Sequence, residues 1–385
     1  MTYRLPFMRF ALQIGLAHGV SDAAAGLLVG VIIQHAAPEM NLQILEYNLL
    51  AFGLMPLAGL LFDRLRRPQQ GAAASLLVTL AGLMLLPFQL NIAILLIGLG
   101  SAGLHAGGGS LAITLTPGRA SAAGIFAAFG VVGLTLGGMA SALDPLITRL
   151  VLVCLLALLS AAIKFARLAP GDLLTLSRCP SGSKSGRAMP SQPAPAAPLL
   201  ITKCMLCMVV LVIAISLRST GWVGAQTSVA RYSSAALWVA VAAGLGKLAG
   251  GFAADRFGWR RFMLIALTGA GLLLVPYGLF FANPWLQFAP ERASGQYWQI
   301  ALMLGVLLLQ SVTPLSVAAM GRALPGYPAL AASLALGTAV LAGGLPFFIL
   351  AGGWFGPVSM AITLALSALC YWFALGKFQP NGNPV

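Results

Sequence analysis

Residues 249–261 read AGGFAADRFGWRR, and residues 58–67 read AGLLFDRLRR. In both, an apolar run ends at an Asp-Arg pair with further basic residues behind it. A glycine stands four residues before each acid: Gly59 before Asp63, Gly251 before Asp255. Four residues is about one helical turn, so glycine and acid share a face. The plain alternative is that charges merely end a span and hold a loop on one side of a membrane. Two copies at matching places favour a dedicated device.

The chain around these stretches is 385 residues long, 59% hydrophobic and 8% charged. A soluble domain carries about 25% charged residues, so this composition fits a bilayer rather than water. Backbone polar groups in hydrocarbon must be satisfied within the chain, which leaves helices or a closed barrel. The apolar runs are about twenty residues long and do not alternate, which selects helices. Twelve spans are expected, over 7–33, 42–62, 71–90, 92–116, 119–142 and 146–167, then 200–222, 232–254, 261–282, 297–320, 328–350 and 354–375. A stretch rich in Pro, Ser and Gly, 169–198, reads as a linker. The expected organisation is a six-helix half at 1–168, a cytoplasmic linker at 169–199 and a second six-helix half at 200–385. TPGRASAAG (116–124) and LPGYPALAA (324–332) stand at corresponding places and strengthen the repeat. The fold class is therefore all-α: twelve transmembrane helices in two pseudo-symmetric halves, with a substrate site between them near the midplane.

The net charge of +14 does not indicate nucleic acid, because the basic residues sit at the ends of apolar runs. With the N-terminus inside, seventeen Lys and Arg fall on one side and only Arg149, Arg231 and Arg292 on the other, while Arg218 and Lys247 lie within spans. That bias puts both termini in the cytoplasm. A prokaryotic inner (plasma) membrane is expected from the short loops and compact size. GLGK at 244–247 lacks the spacing and Ser/Thr of a Walker A loop, and the CxxC at 204–207 has no second pair. No catalytic spacing is present, so the chain is not expected to be an enzyme. No cofactor or bound metal is expected, with a proton gradient as the energy source and a monomer in lipid as the working unit.

Asp63 and Asp255 fall where the second helix of each half ends. A carboxylate there suits the positive start of a neighbouring helix. The glycine lets that neighbour approach, and Arg64, Arg67, Arg256 and Arg260 are expected to close the arrangement from the water side. Gly59, Asp63, Arg64, Arg67, Gly251, Asp255, Arg256 and Arg260 thus form a candidate conformational latch.

G-x-x-x-D-R with basic residues after it, present after the second and the eighth helix, resembles the signature loop of the major facilitator superfamily. The first copy departs from the pattern with Arg66 where the second keeps Gly258. The resemblance covers the whole chain and implies a secondary transporter working by alternating access. AHGVSDAAAG (17–26), GLGSAGLHAGGGS (98–110), GIFAAFGVVGLTLGG (124–138) and LRST (217–220) are similar to the fosmidomycin-resistance branch of that superfamily. His18, Asp22, His105, Arg218 and Ser219 match it, while Ala106 and Gly107 replace its Pro and Glu.

Ionisable residues inside spans are expensive and mark functional sites. His18 and Asp22 share a face of the first helix and form the candidate proton-coupling pair. Burial and a neighbouring cation act in opposite directions on a carboxylate's hold on its proton, and histidine titrates near neutrality. Arg218 keeps its charge and suits an anionic group or a standing partnership with Asp22. Arg218, His105, Trp222, Gln226, Gln310 and Thr313 are the candidate substrate-binding set, with Ser316 beside them. The glycines of the fifth helix, Gly130, Gly133, Gly137 and Gly138, resemble the small-residue motif of proton-driven exporters, though small residues also serve as packing glue. The expectation is proton-coupled export, by antiport, of a small organic compound, anionic or amphipathic. Import or uniport by the same fold is one alternative. Another is a divalent transition metal as cargo, held by His18, Asp22 and His105.

Overall fold

The computed structural model describes residues 5–35, 38–143, 145–166, 198–226, 233–281, 296–349 and 355–376. The expected linker, apart from its last two residues, lies outside them, as do several of the basic residues that set the expected orientation. The first half runs α1 (Leu5–His35), then α2 (Met40–Asn48), a π-helical turn (Leu49–Gly53) and α3 (Met55–Leu65) as one interrupted span. It continues with α4 (Pro68–Leu85), α5 (Leu90–Leu115), α6 (Ser121–Ala140) and α7 (Pro145–Phe165). The second half runs α8 (Pro198–Gln226), α9 (Ser234–Phe257), α10 (Trp259–Phe281), and α11 (Gln296–Ser311) continued by α12 (Thr313–Ala323). It ends with α13 (Pro328–Ser333), a second π-helical turn (Leu334–Thr338), α14 (Ala339–Ile349) and α15 (Pro357–Gly376). Among the described residues, eleven helical units are long and apolar enough to cross a membrane. The twelfth position is taken by α4, whose first turn, Pro68-Gln69-Gln70, is polar. Gln69 Nε2 donates to the carbonyls of Ile163 (2.7 Å) and Ala166 (2.9 Å), so that turn is answered at the end of α7.

Large apolar side chains cover the outside: Leu158, Ile265, Leu272 and Leu369 are all more than 60% exposed, as a lipid-facing surface requires. Where α1 and α6 cross, glycines take the contact positions. A Cβ on Gly133 would stand 2.7 Å from the Gly19 carbonyl carbon, and one on Gly137 would stand 2.6 Å from that of Ala23. Close approach of backbones is the usual route to helix association in lipid, and here it seats α6 directly on α1.

The two halves meet through a reciprocal pair of helix caps. Asp255, on α9, accepts from the backbone N–H of Ala120 (2.7 Å) and Ser121 (3.0 Å), where α6 begins. Asp63, on α3, accepts from Ala329 (3.0 Å) and Leu330 (2.8 Å), where α13 begins. Each half thus lends one acid and one helix start. The glycines do as expected: a Cβ on Gly59 would lie 2.6 Å from the Ala329 carbonyl oxygen, and one on Gly251 would lie 2.7 Å from that of Ala120. The preceding Pro-Gly loops turn through Gly118 (φ 73°) and Gly326 (φ 89°), a left-handed conformation that glycine adopts freely.

The arginines do not close the caps as expected. Arg64, Arg67 and Arg256 are exposed; Arg64 and Arg256 directly follow the acids and so point about 100° away around the helix, and Arg67 lies past the end of α3. Arg260 instead stacks over the Trp372 ring at 3.4 Å. At the Asp255 cap the closing cation is Arg322 of α12. It donates to the Gly118 carbonyl (2.6 Å), stacks over Trp259 at 3.9 Å and acts electrostatically on Asp255. Trp259 Nε1 donates to the same carboxylate at 3.4 Å. The Arg66 departure also has a structural consequence. Arg66 holds φ 53°, ψ 35°, and Arg66 and Arg67 donate back to the carbonyls of Asp63 and Phe62, which is a Schellman ending normally given to glycine.

Three outcomes follow for thermal unfolding of the purified protein in detergent. Arg66→Gly relieves a left-handed residue and raises stability by about 1 kcal/mol. Asp255→Ala and Asp63→Ala each remove the acceptor for two helix-start donors and lower it by about 1–2 kcal/mol. Gly133→Ala forces α1 from α6 and lowers it by about 1–3 kcal/mol.

Candidate functional site

Level with the crossing of α1 and α6, three polar side chains converge. His18 is 4% exposed and His105 5%, and the Asp22 side chain is 14% exposed. The His18 ring stacks on Phe126 (centroids 4.5 Å, interplanar 19°) and meets His105 edge-on at 4.5 Å. His18 Nδ1 lies 2.8 Å from the Phe126 carbonyl, and His105 Nδ1 lies 2.8 Å from that of Ser101. A carbonyl only accepts, so both histidines carry their proton on Nδ1. The two Nε2 atoms then face each other at 2.9 Å, with Asp22 3.2 Å from His18 Nε2 and 3.8 Å from His105 Nε2. Gly130 makes room for this group: a Cβ there would stand 2.5 Å from His18 Nε2 and 2.6 Å from Asp22 Oδ2. Gly130 belongs to the exporter-like glycine series, but its visible task is to clear space for the acid and its histidine.

The three ligand-type atoms lie within 4.8 Å of one another, so a metal ion must be weighed. Two imidazole nitrogens on one tetrahedral ion, each at about 2.0–2.1 Å, stand about 3.3 Å apart; 2.9 Å is a hydrogen-bond separation. Lys247 also acts electrostatically on Asp22 and His105, and a resident cation repels a divalent one. The cluster fits a proton better than a metal.

The second group lies in the other half. Arg218 on α8 is 3% exposed. Its Nη1 reaches Gln310 Oε1 at 3.4 Å, and that oxygen also accepts from Thr313 Oγ1 at 2.9 Å. The Tyr371 hydroxyl pairs with Ser316 Oγ and faces Arg218. Arg218 Nε is buried without a hydrogen-bond partner among the described residues. Asp22 and Arg218 do not form an ion pair; the ion pairs of Asp22 are with His18 and His105, within its own half. Trp222, one turn beyond Arg218, packs against the core. Gln226 is exposed at the last position of α8, about 12 Å further along the helix than Arg218, and does not join the group.

Lys247 and Tyr371 were not among the sequence candidates. Lys247 lies on α9 where that helix packs on α6, a Cβ on Gly124 standing 2.7 Å from the Lys247 carbonyl oxygen, and it acts electrostatically on both Asp22 and Arg218. Its signal was present in the sequence as a lysine within an apolar span. Tyr371, fully buried in α15, left no mark that separates it from core.

No family model and no curated protein matches the chain. Solved structures do. The Escherichia coli fucose:proton symporter FucP (N162A) aligns with a TM-score of 0.65 at 15% identity, over 98% of this chain and 100% of that one. FucP described as a major facilitator superfamily transporter in the outward conformation aligns with the same TM-score at 14% identity and the same coverage. Identity this low speaks to architecture, and with the paired halves and reciprocal caps it leads to one conclusion: the chain has the fold of the major facilitator superfamily.

Proposed function

We propose that the chain is a proton-coupled secondary transporter of a small organic solute, working by alternating access. The observation that carries this reading is the buried His18–His105–Asp22 cluster in one half, opposite buried Arg218 in the other. Titratable groups at that depth are costly and are kept for a task. Asp22 and His18 form the proton site, with His105 as its third member. Arg218, Gln310 and Thr313 bind solute from the facing half, and Trp222 lies one turn away. The Asp63 and Asp255 caps act as latches: both are made in the described arrangement, and opening at the Arg-rich end withdraws each carboxylate from its helix start. That end is the cytoplasmic one by the Lys and Arg bias, in an inner (plasma) membrane. The glycines behind the sequence expectation of export serve to seat α1 on α6, and this packing role is neutral as to direction.

The test is reconstitution in liposomes holding an internal pH dye, with candidate organic solutes presented to wild type and to Asp22→Asn. Solute-dependent proton movement is expected in wild type and absent in the variant, while both unfold at similar temperatures. Uphill transport by Asp22→Asn at the wild-type rate would overturn the assignment.

A further inference from the structure

Resting on that reading, we infer that the solute carries an anionic group seated between Arg218 and Lys247, and that it moves in the same direction as the proton. With both histidines protonated on Nδ1, their Nε2 atoms and the Asp22 carboxylate bring three acceptors together at 2.9, 3.2 and 3.8 Å. Acceptors that close without a hydrogen between them repel. One added proton on the His18–His105 axis supplies the missing donor, so the described state is a loaded one. The groups acting on Asp22 are His18 from its own helix, His105 from α5 and Lys247 from α9. With its proton the cluster is neutral overall, and without it the cluster carries one negative charge.

The other half carries two cations. Arg218 and Lys247 act on each other repulsively, and Arg218 keeps a buried Nε with no hydrogen-bond partner among the described residues. Two like charges near one another, one with an idle donor, make a site for an anion such as a carboxylate, sulfonate or phosphonate. Lys247 has two claimants. When the cluster has lost its proton, the negative charge on Asp22 draws the ammonium group; when the cluster is loaded, the ammonium group is released to the anion. Proton and anion therefore strengthen each other's binding, and the effect is reciprocal. Partners that bind together cross together. An antiporter needs the opposite sign, with proton and solute competing, so this coupling points away from the export by antiport that the glycine pattern implied.

Sulfate, methanesulfonate and benzenesulfonate keep a fixed charge between about pH 5.5 and 8.5 and serve as probes. Their binding to the detergent-solubilised full chain is followed by thermal stabilisation, and proton uptake by an indicator dye in weak buffer. At least one probe is expected to bind with proton uptake, and its affinity should fall by up to about tenfold per pH unit once the cluster begins to lose its proton. Lys247→Gln should bind the probe more weakly and with its pH dependence flattened, and Lys247→Arg should retain both. Arg218→Gln should lose binding; if it fails to fold, the Lys247 pair carries the test. Proton release on binding, affinity independent of pH, or no binding by any probe overturns the inference. Solute and protons crossing the liposome membrane in opposite directions would overturn it too, yet leave the transport reading intact. Probe binding with proton uptake, but no transport of any solute, would keep the linkage and remove the transport reading.

Discussion

A polar group inside hydrocarbon has no water to fall back on, and the arrangement of this chain follows from that constraint. Backbone groups are absorbed by helices. Two helix starts, which leave N–H donors over, are answered by Asp63 and Asp255 across the seam between the halves. Buried serines and threonines turn back onto backbone carbonyls, while the buried ionisable side chains His18, Asp22, His105 and Arg218 gather into two groups.

The fold was largely legible because its signals are long-range and repeated. Twenty-residue apolar runs and a doubled G-x-x-x-D-R device survive errors at any one position. The role of the acids at helix starts also followed from the sequence, since it needs only a carboxylate, a glycine one turn back and a facing helix. The arginines read less well. Sequence adjacency pointed to Arg64 and Arg256, whereas helical geometry turns them to solvent. Arg322 closes the Asp255 cap from a helix remote in the chain, and nothing local to it shows that Trp259 and Gly118 lie within reach.

The site was legible by type and less so by pairing. Buried ionisable residues in apolar runs were visible as such, and His18, Asp22, His105 and Arg218 all proved buried or nearly so. The expected alternative of Asp22 paired with Arg218 did not form; the acid instead pairs with His18 on its own helix and with His105 of α5. Gln226 shared the polar character of the set but falls two turns past Arg218, beyond the buried part of its helix. Lys247 had the same sequence signal as Arg218 and acts electrostatically on both groups. Its place where α9 packs on α6 is one that a linear reading does not convey.

The reciprocal caps carry one further implication, for the chain's divisibility. Each half owns one carboxylate and one helix start, but the partner of each is in the other half. A half produced alone is left with an exposed helix start and an idle acid at the same end, and each deficiency matches the surplus of its counterpart. The connecting segment therefore need not specify how the halves dock. Made as two separate chains, they carry matching ends in duplicate, which makes the seam self-indexing, like the two faces of a keyed joint.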